Sequence, residues 1–318
     1  MYQYTTHSFG KFEAYTFENP ISKQKMVIIP AYGGVINELH LTSPKGTQNI
    51  INGCVNENEL LTSPFFKGHW LLPFPNRLQD GQFTFEGQVY QFPINEEHNH
   101  NNLHGFTHIP EFTIDAIQLQ SSKVIVTMST AYHATYEYYP FSFDFEVQLT
   151  LEDGGNFEIQ ITIKNIGATN LPVGMGWHPY FKLDDTTINE LALQLPQVHK
   201  IQCNQWAIPV GQERKYALFE KSAQLNNTHF DTCFRILNTN SKVPIHIKSE
   251  LHQLTIWQNT KHFPFTQIYT PDDRQSIAIE PMTCNIDAFN NQDGLLIISP
   301  DKEVVLDFGI QLQAIQNS

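Results

Sequence analysis

The fold is decided by the stretch 143–164, which reads FDFEVQLTLEDGGNFEIQITIK. Apolar and polar residues alternate on both sides of Asp153-Gly154-Gly155-Asn156, and a period of two is typical of β-strands with one buried face. A short Asp/Gly/Asn segment between two such runs predicts a tight turn. The stretch therefore predicts an antiparallel β-hairpin whose apolar face lies on a core.

Strand signals of the same kind recur along most of the 318 residues, whereas the helical period of 3.6 is hard to find. A helical turn is expected only over 63–72, and no linker, repeat or low-complexity tract divides the chain. We therefore predict an all-β fold, a large antiparallel β-sandwich, with residues 1–318 forming a single domain. Further strands are expected at 25–29, 35–41, 82–85, 89–92, 123–128, 191–195, 254–257, 265–269, 276–279, 295–299 and 304–308.

The composition argues against several classes of partner. Hydrophobic residues make up 41% and charged residues 16%, as in globular chains. The net charge is -13 and no basic run is present, so neither a nucleic-acid nor a membrane partner is expected. The four cysteines form no Cys-x-x-Cys pair, the first residues do not resemble a signal peptide, and no stretch is long enough to span a membrane. A cytoplasmic protein with reduced thiols is expected.

An unusual histidine follows the predicted hairpin, in the stretch Gly174–Phe181, which reads GMGWHPYF. Two glycines precede His178 and Pro179 follows it, which favours an extended conformation at the histidine. Three aromatic residues surround it. The pattern indicates either an imidazole held rigidly in an apolar wall with its polar end free, or a buried histidine bonded to the main chain.

Four clusters of unusual residues stand out along the chain: Pro75-Asn76-Arg77-Leu78, Asn102-Leu103-His104-Gly105, His178-Pro179-Tyr180-Phe181 and Glu280-Pro281-Met282-Thr283. Taken together, they resemble the aldose 1-epimerase family, also called galactose mutarotases. The resemblance covers nearly the whole chain, from the Gly33-Gly34 turn to the C-terminal strands. It implies a galactose mutarotase-like β-sandwich with an open cleft on one sheet.

The resemblance also implies a role for each matching residue. Glu280 matches the catalytic base and His178 the catalytic acid of the family. Asp231 matches the acidic residue that binds sugar hydroxyls, with Asp184 and Asp185 as alternatives. The positions that match sugar-binding residues are Asn76, Arg77 and His104.

The chemistry of mutarotation suits these residue types. Opening a cyclic hemiacetal needs a base for the C1 hydroxyl and an acid for the ring oxygen, and closing it reverses both roles. No metal, redox cofactor or covalent intermediate is required, so no cofactor is expected and the partner is a small-molecule sugar. Three aromatic residues are candidates to stack on the sugar: Trp177, Phe74 and Tyr269.

Several alternatives stay open at this point. Glu280 is also compatible with a surface carboxylate at a strand end, and Arg77 with a structural ion pair. A run of histidines, His98, His100, His104 and His108, suggests a metal site but matches no standard signature. Apart from His104, these histidines are interpreted as solvated residues of the loop or contacts at the rim. The long loop 95–108 is expected to shape the rim of the cleft.

Three functions follow from these residues. The first is an aldose 1-epimerase acting on a free hexose such as glucose or galactose, and an unusual substrate such as a pentose or an oligosaccharide belongs to the same class. The second is a hexose-6-phosphate 1-epimerase, which needs basic residues beyond Arg77. The third is a non-catalytic carbohydrate-binding β-sandwich, against which the pairing of Glu280 with His178 argues. The sequence does not give the oligomeric state.

Overall fold

The structure is a computed structural model that describes residues 1–62, 65–106, 111–238 and 242–316. The named strands pair antiparallel, as the sequence predicts. Within these ranges no helix is both long and apolar enough to cross a membrane.

The elements are numbered in chain order. The first half contains β1 Gln3–Phe9, β2 Phe12–Glu18, β3 Lys25–Ile29, β4 Val35–Ser43, β5 Gly46–Asn49, α1 Glu57–Thr62, β6 Trp70–Leu71, β7 Arg77–Gln79, β8 Gln82–Phe85, β9 Gln88–Gln91, β10 Asn101–Leu103, β11 Thr113–Leu119, β12 Lys123–Tyr132, β13 Phe143–Glu152 and β14 Asn156–Asn165. The second half contains β15 Leu171–Val173, β16 Gly176–Trp177, β17 Tyr180–Phe181, a 3-10 helix Ile188–Glu190, β18 Ala192–Gln194, β19 Val198–Cys203, β20 Pro209–Tyr216, β21 Ala223–Gln224, β22 Asp231–Ile236, β23 Lys242–Lys248, β24 His252–Asn259, β25 Phe265–Tyr269, β26 Ile277–Met282, α2 Ala288–Asn291, β27 Leu296–Ile298 and β28 Glu303–Ala314.

Two large sheets dominate the architecture. The nine-stranded sheet has the order β11-β12-β13-β14-β28-β24-β23-β18-β21, and the eight-stranded sheet has the path β20-β19-β22-β25-β26-β16-β6 with β17 also paired to β26. The predicted hairpin is confirmed as β13 and β14, with Phe143 opposite Asn165 and Glu152 opposite Asn156. Its inward residues, among them Phe145, Val147 and Ile161, are fully buried in the main core.

The helical turn predicted over 63–72 is wrong for the part that the structure describes. The helix α1 ends at Thr62, residues 63 and 64 lie outside the described ranges, and 70–71 form β6. The helix begins earlier because the Asn56 Oδ1 accepts a hydrogen bond of 3.0 Å from the Glu59 main-chain N–H, which is an N-cap interaction. Acidic residues at 57 and 59 also favour the first turn of a helix.

The eight-stranded sheet has two faces with different surroundings. In β26, Ile277 and Ile279 belong to the main hydrophobic core, whereas Met282 belongs to a small separate cluster with Cys233 and Phe265. Because side chains alternate across a strand, residue 280 points to the side away from the main core. This side of the sheet carries the candidate active site.

Candidate active site

Three neighbouring strands place polar side chains on the same face of the eight-stranded sheet. Asp231 begins β22, Gln267 lies in the middle of β25, and Glu280 lies in β26 directly opposite Gln267. Residue 269, at the end of β25, is paired with Asp231. The antiparallel register therefore brings together residues that lie up to 49 positions apart in the sequence.

His178 follows β16 and faces Glu280. Its main-chain N–H donates to the His69 carbonyl at 3.0 Å, and its carbonyl accepts from the Gly68 N–H at 2.8 Å. These bonds hold the imidazole so that Nε2 lies 3.4 Å from the Glu280 Oε1. Tyr180 stacks on the imidazole at 5.0 Å between ring centroids, which restricts its rotation.

Burial moves the pKa of both partners away from the usual values. The pKa of Glu280 is raised well above 4.5, chiefly by burial and further by the charge of Asp231, whereas Arg77 opposes the shift. The pKa of His178 is lowered to about 3, chiefly by burial and further by His69. These shifts in pKa favour a proton on Glu280 over a proton on His178, and the imidazole is neutral.

A two-stranded ribbon formed by β7 and β10 covers this face of the sheet. Asn76, just before β7, and His104, just after β10, both adopt left-handed backbone conformations, with φ of 62° and 64°. Such conformations are more accessible to Asn and His than to most residues. Gly105 also has a positive φ, and a Cβ there would collide with the Leu72 carbonyl oxygen, so only glycine fits after His104.

The ribbon fixes the tautomer of His104. The Asn76 main-chain N–H donates to the His104 Nδ1 at 3.0 Å, so this ring nitrogen must be the acceptor. Burial lowers the pKa of His104 well below 6.5, and His178 and Arg77 lower it further, so the ring is neutral. The proton therefore sits on Nε2, which has no hydrogen-bond partner within the described ranges and is available to a ligand.

Arg77 is held by two carboxylates. Its Nε and Nη2 bind Glu96 in a bidentate fork at 2.9 to 3.1 Å, and Nη2 lies 3.6 Å from the Asp231 Oδ2. The Glu96 carboxylate also accepts a bond of 3.1 Å from the Asn101 side-chain amide. The Arg77 Nη1 also donates to the Asn76 Oδ1 at 3.4 Å, so the guanidinium is positioned in advance.

These residues enclose a cavity of about 210 Å³. This is smaller than the roughly 300–1,000 Å³ that drug-sized ligands occupy, and it suits a small polar molecule. The Glu280 Oε2 and the Gln267 Oε1 are buried without a hydrogen-bond partner in the described structure, although such groups usually have one. The lining residues are Phe65, Phe66, Asn76, Arg77, Leu103, His104, His178, Tyr180, Asp231, Gln267, Tyr269 and Glu280.

All six site residues named in the sequence analysis line this cavity: Asn76, Arg77, His104, His178, Asp231 and Glu280. The alternative Asp184 lies elsewhere, bonded to His252 at 2.6 Å. The surface position for Glu280 is wrong, because this residue is 1% exposed, whereas Arg77 lines the cavity and also forms the ion pair that was the alternative interpretation. The sequence did not single out Gln267, which donates to the Asp231 Oδ1 at 2.6 Å, or Glu96.

Of the three aromatic candidates for stacking, only Tyr269 lines the cavity. Trp177 and Phe74 are wrong candidates, because they are 0% and 2% exposed and belong to the main core. The Trp177 indole N–H donates inward to the Gly68 carbonyl at 3.2 Å. Trp177, directly before His178, thus packs in the core, whereas Tyr180 of the same motif and Tyr269 of β25 supply rings at the cavity.

The histidine side chains of the loop 95–108 do not come together at one point. His100 bonds Asp80 at 2.9 Å on the surface, His98 is exposed, and His104 turns into the cavity. His108 lies outside the described residues. Across the ranges that the structure covers, no group of three His, Cys, Asp or Glu side chains is arranged to hold a metal ion. Each of the four cysteines carries a free thiol.

Comparison with known proteins places this arrangement in context. A profile of the family described as aldose 1-epimerase matches residues 13–311. A galactose mutarotase-like protein from Clostridium acetobutylicum has a TM-score of 0.83 and 18% identity, with 99% of both chains covered. Galactose 1-epimerase from Lactobacillus acidophilus has a TM-score of 0.81 and 15% identity, again with 99% of each chain covered. These similarities confirm the galactose mutarotase-like fold.

Two Escherichia coli K12 proteins are similar in sequence. The uncharacterized protein YihR is 28% identical over 248 residues, which cover 76% of this chain and 78% of YihR. The uncharacterized protein YphB is 29% identical over 126 residues, or 37% of each chain. Neither name specifies a substrate.

Proposed function

Because the chain belongs to the aldose 1-epimerase family, we propose that it interconverts the α and β anomers of a free aldohexose such as glucose or galactose. The observation that carries this proposal is the buried pair of Glu280 and His178, 3.4 Å apart at the wall of a small polar cavity. A site that only binds sugars needs no acid and base with oppositely shifted pKa values.

Ring opening requires one proton to leave and another to arrive. The Glu280 carboxylate takes the proton from the C1 hydroxyl, the bond between C1 and the ring oxygen breaks, and His178 gives a proton to that oxygen. After rotation about C1–C2, His178 takes the proton back from the C5 hydroxyl and Glu280 returns one to the aldehyde oxygen. Each positioned proton transfer contributes about 10²–10⁴-fold to the rate.

The pair keeps the same number of protons throughout this cycle. The cyclic sugar reacts when the transferable proton is on His178, and the open-chain sugar reacts when it is on Glu280. The raised pKa of Glu280 and the lowered pKa of His178 favour the second of these two protonation states. Arg77, whose charge lowers the pKa of Glu280, favours the carboxylate that ring opening needs.

The surrounding residues supply groups that bind sugar hydroxyls. Arg77, the His104 Nε2–H and the Asn76 side-chain amide offer donors, whereas Asp231 and the Gln267 Oε1 offer acceptors. Tyr269 offers an aromatic face at the same cavity.

The direct test is the relaxation of freshly dissolved α-D-glucose and α-D-galactose, followed by polarimetry with and without the protein. We expect faster relaxation to the same equilibrium rotation, in proportion to the protein concentration. Protein that binds these sugars and accelerates the relaxation of neither would contradict the proposal and favour a non-catalytic sugar-binding protein.

The charges at the cavity favour a free sugar over a hexose 6-phosphate. Arg77 is the only cation that lines the cavity among the described residues, and Glu96 neutralises it in a bidentate pair while Asp231 adds a negative charge. Two like charges placed next to each other at an interface typically cost several kcal/mol. We therefore expect kcat/KM for glucose to exceed that for glucose 6-phosphate by at least about tenfold, and the reverse order would favour a hexose-6-phosphate 1-epimerase.

Replacing Arg77 by lysine is expected to raise KM for the sugar by about tenfold or more with a smaller change in kcat, because a lysine cannot reproduce the bidentate fork. Steady-state kinetics on α-D-glucose measure both constants. Arg235→Lys is the matched control, because Arg235 also binds two carboxylates, Glu213 and Asp293, but does not line the cavity. Equal effects of the two substitutions would contradict a binding role for Arg77.

A further inference from the structure

One aromatic ring, that of Phe66, lies among three histidines at the candidate site. Its centroid is 4.7 Å from that of the His104 ring at an interplanar angle of 64°, and 6.5 Å from that of the His178 ring at 25°. The His69 ring is 5.9 Å away and nearly perpendicular, at 88°. Phe66 also lines the cavity. A ring without polar groups therefore lies beside both imidazoles of the cavity.

The backbone that carries this ring has a conformation that is unusual for a bulky residue. Phe66 has a φ of 51°, in the left-handed region that aromatic residues rarely adopt. The His69 N–H donates to the Phe66 carbonyl at 3.1 Å, and Gly68 has a φ of 74°. A bond of this kind around a glycine with positive φ is typical of a type II turn over residues 66–69. Strained backbone of this kind is found mainly at functional sites, where the surrounding structure holds it in place.

The same turn is bonded to the main chain of His178. The Gly68 N–H donates to the His178 carbonyl at 2.8 Å, and the His178 N–H donates to the His69 carbonyl at 3.0 Å. A Cβ at Gly68 would lie 3.2 Å from the Ile36 carbonyl oxygen, so the turn packs tightly against β4. Main-chain hydrogen bonds therefore fix the Phe66 ring and the His178 imidazole relative to each other.

The surroundings of the two imidazoles determine the sign of the effect that this ring has on them. Titratable groups from several parts of the chain face His104 or His178, in addition to the other imidazole of the two: His69 of the turn, Arg77 of β7, Tyr180 of β17 and Glu280 of β26. Burial is nevertheless the largest cause of the lowered pKa of His104 and of His178. Because Phe66 carries no charge, it lowers the pKa of these imidazoles only by excluding water.

We propose that Phe66 is a positioning residue of the reaction, whose ring excludes water from His104 and His178 and fixes the orientation of both imidazoles. The inference rests on the proposed function, because it links the ring to the proton transfer by His178. It assigns a role to a side chain that neither transfers a proton nor forms a hydrogen bond with the sugar.

The direct test follows the imidazole signals by NMR between pH 4.5 and 8, in the wild type and in Phe66→Ala. The signals are assigned by their loss in His178→Asn and in His104→Asn. We expect both wild-type imidazoles to stay neutral over this range. In Phe66→Ala water reaches the imidazoles, so the pKa of His178 should rise from about 3 towards 6.5 by about two pH units, and that of His104 should rise too. Unchanged titration in a folded Phe66→Ala variant would overturn the inference.

Two further variants separate this role from a general loosening of the fold. Phe66→Leu keeps an apolar side chain over the imidazoles, so both should remain neutral as in the wild type. Phe85→Ala is the matched control, because Phe85 is a half-buried ring that packs on Phe141 at 5.6 Å between centroids and does not line the cavity. It should leave the titration of both imidazoles unchanged, and an effect as large as that of Phe66→Ala would contradict the inference.

Steady-state kinetics on α-D-glucose measure the consequence for the reaction. Phe66→Ala should lower kcat by about tenfold with a smaller change in KM, because a loosely held imidazole loses part of the advantage of a positioned proton transfer. Phe66→Leu should restore most of kcat. A change in KM alone would contradict a positioning role. The NMR titration does not depend on catalysis, so a raised pKa of His178 in Phe66→Ala supports the exclusion of water by Phe66 even if no sugar is epimerised.

Discussion

Replacing Glu280 by glutamine is expected to lower the rate of catalysed mutarotation by about 10²–10⁴-fold and, at the same time, to stabilise the folded protein at neutral pH. The rate falls because an amide cannot accept the proton of the C1 hydroxyl. The stability rises because the wild-type carboxyl is 1% exposed and its Oε2 has no hydrogen-bond partner within the described ranges.

The sign of the stability change follows from the pKa of Glu280. Burial raises this pKa above the ordinary value of 4.5, so the folded state holds the proton more tightly than the unfolded chain. The contribution of Glu280 to the free energy of unfolding is therefore most favourable below pH 4.5. It falls by about 1.4 kcal/mol per pH unit as the pH rises towards the folded-state pKa. The advantage of glutamine should therefore grow with pH above 4.5 and then level off.

Thermal unfolding between pH 4.5 and 8, combined with polarimetry at pH 7, measures both effects. Glu38→Gln is a control whose expected change in stability has the opposite sign, because His40 and Lys25 lower the pKa of Glu38 to about 2. Glu38 contributes stability above its unfolded pKa, which is lost as the pH falls towards 2. Its replacement should therefore destabilise the protein at neutral pH and leave activity unchanged. A stability difference for Glu280→Gln that shrinks as the pH rises would contradict the account of its burial.

Replacing His178 by asparagine is expected to lower the rate by a similar factor of about 10²–10⁴, because an amide cannot protonate the ring oxygen as it leaves C1. Asparagine is polar and smaller than histidine, so the cavity stays hydrophilic and sugar binding should weaken less than catalysis. A coupled assay that starts from α-D-glucose and detects only the β anomer separates kcat from KM.

The rate of the double variant shows whether Glu280 and His178 act together in one step or independently. Because acid and base act in one step, Glu280→Gln with His178→Asn should be barely slower than either single variant. His246→Asn is the control, since His246 is a partly buried histidine of β23 bonded to Thr255 at 3.0 Å and lies outside the cavity. Wild-type activity in His178→Asn would remove the proposed acid from the mechanism.

The fold was largely predictable because its signals are local. The alternation of β13 and β14 and the turn between them lie within 22 consecutive residues, and the predicted strand 265–269 matches β25. The main error was the position of the helical turn, which was predicted over 63–72 although α1 ends at Thr62. The signal that was missed is the Asn56 N-cap followed by two glutamates. Strand ends also shifted, as in β28, which extends to Ala314 because β24 continues to pair with it.

The site was predictable only where residues stand in unusual local patterns. His178 lies between glycines and a proline, and Arg77 and His104 stand in short motifs. Gln267 carries no such signal, since it is one polar residue of an ordinary strand and meets Glu280 only through the register of β25 and β26. Glu96 was hidden in the same way, because its role depends on the fold of a polar loop back onto Arg77.

The hydrogen bond from the Asn76 main-chain N–H to the His104 Nδ1 determines which hydrogen bonds His104 can make with a ligand. With that nitrogen occupied, His104 offers a ligand only a donor, as does Arg77, whereas Asp231 and the Gln267 Oε1 offer acceptors. A hydroxyl bound between these two sets of groups must donate its hydrogen to the acceptors, and a fluorine in its place would satisfy only the donors. Because a backbone amide imposes this orientation, it depends on the left-handed conformation of Asn76 and not on the chemistry of the Asn76 side chain.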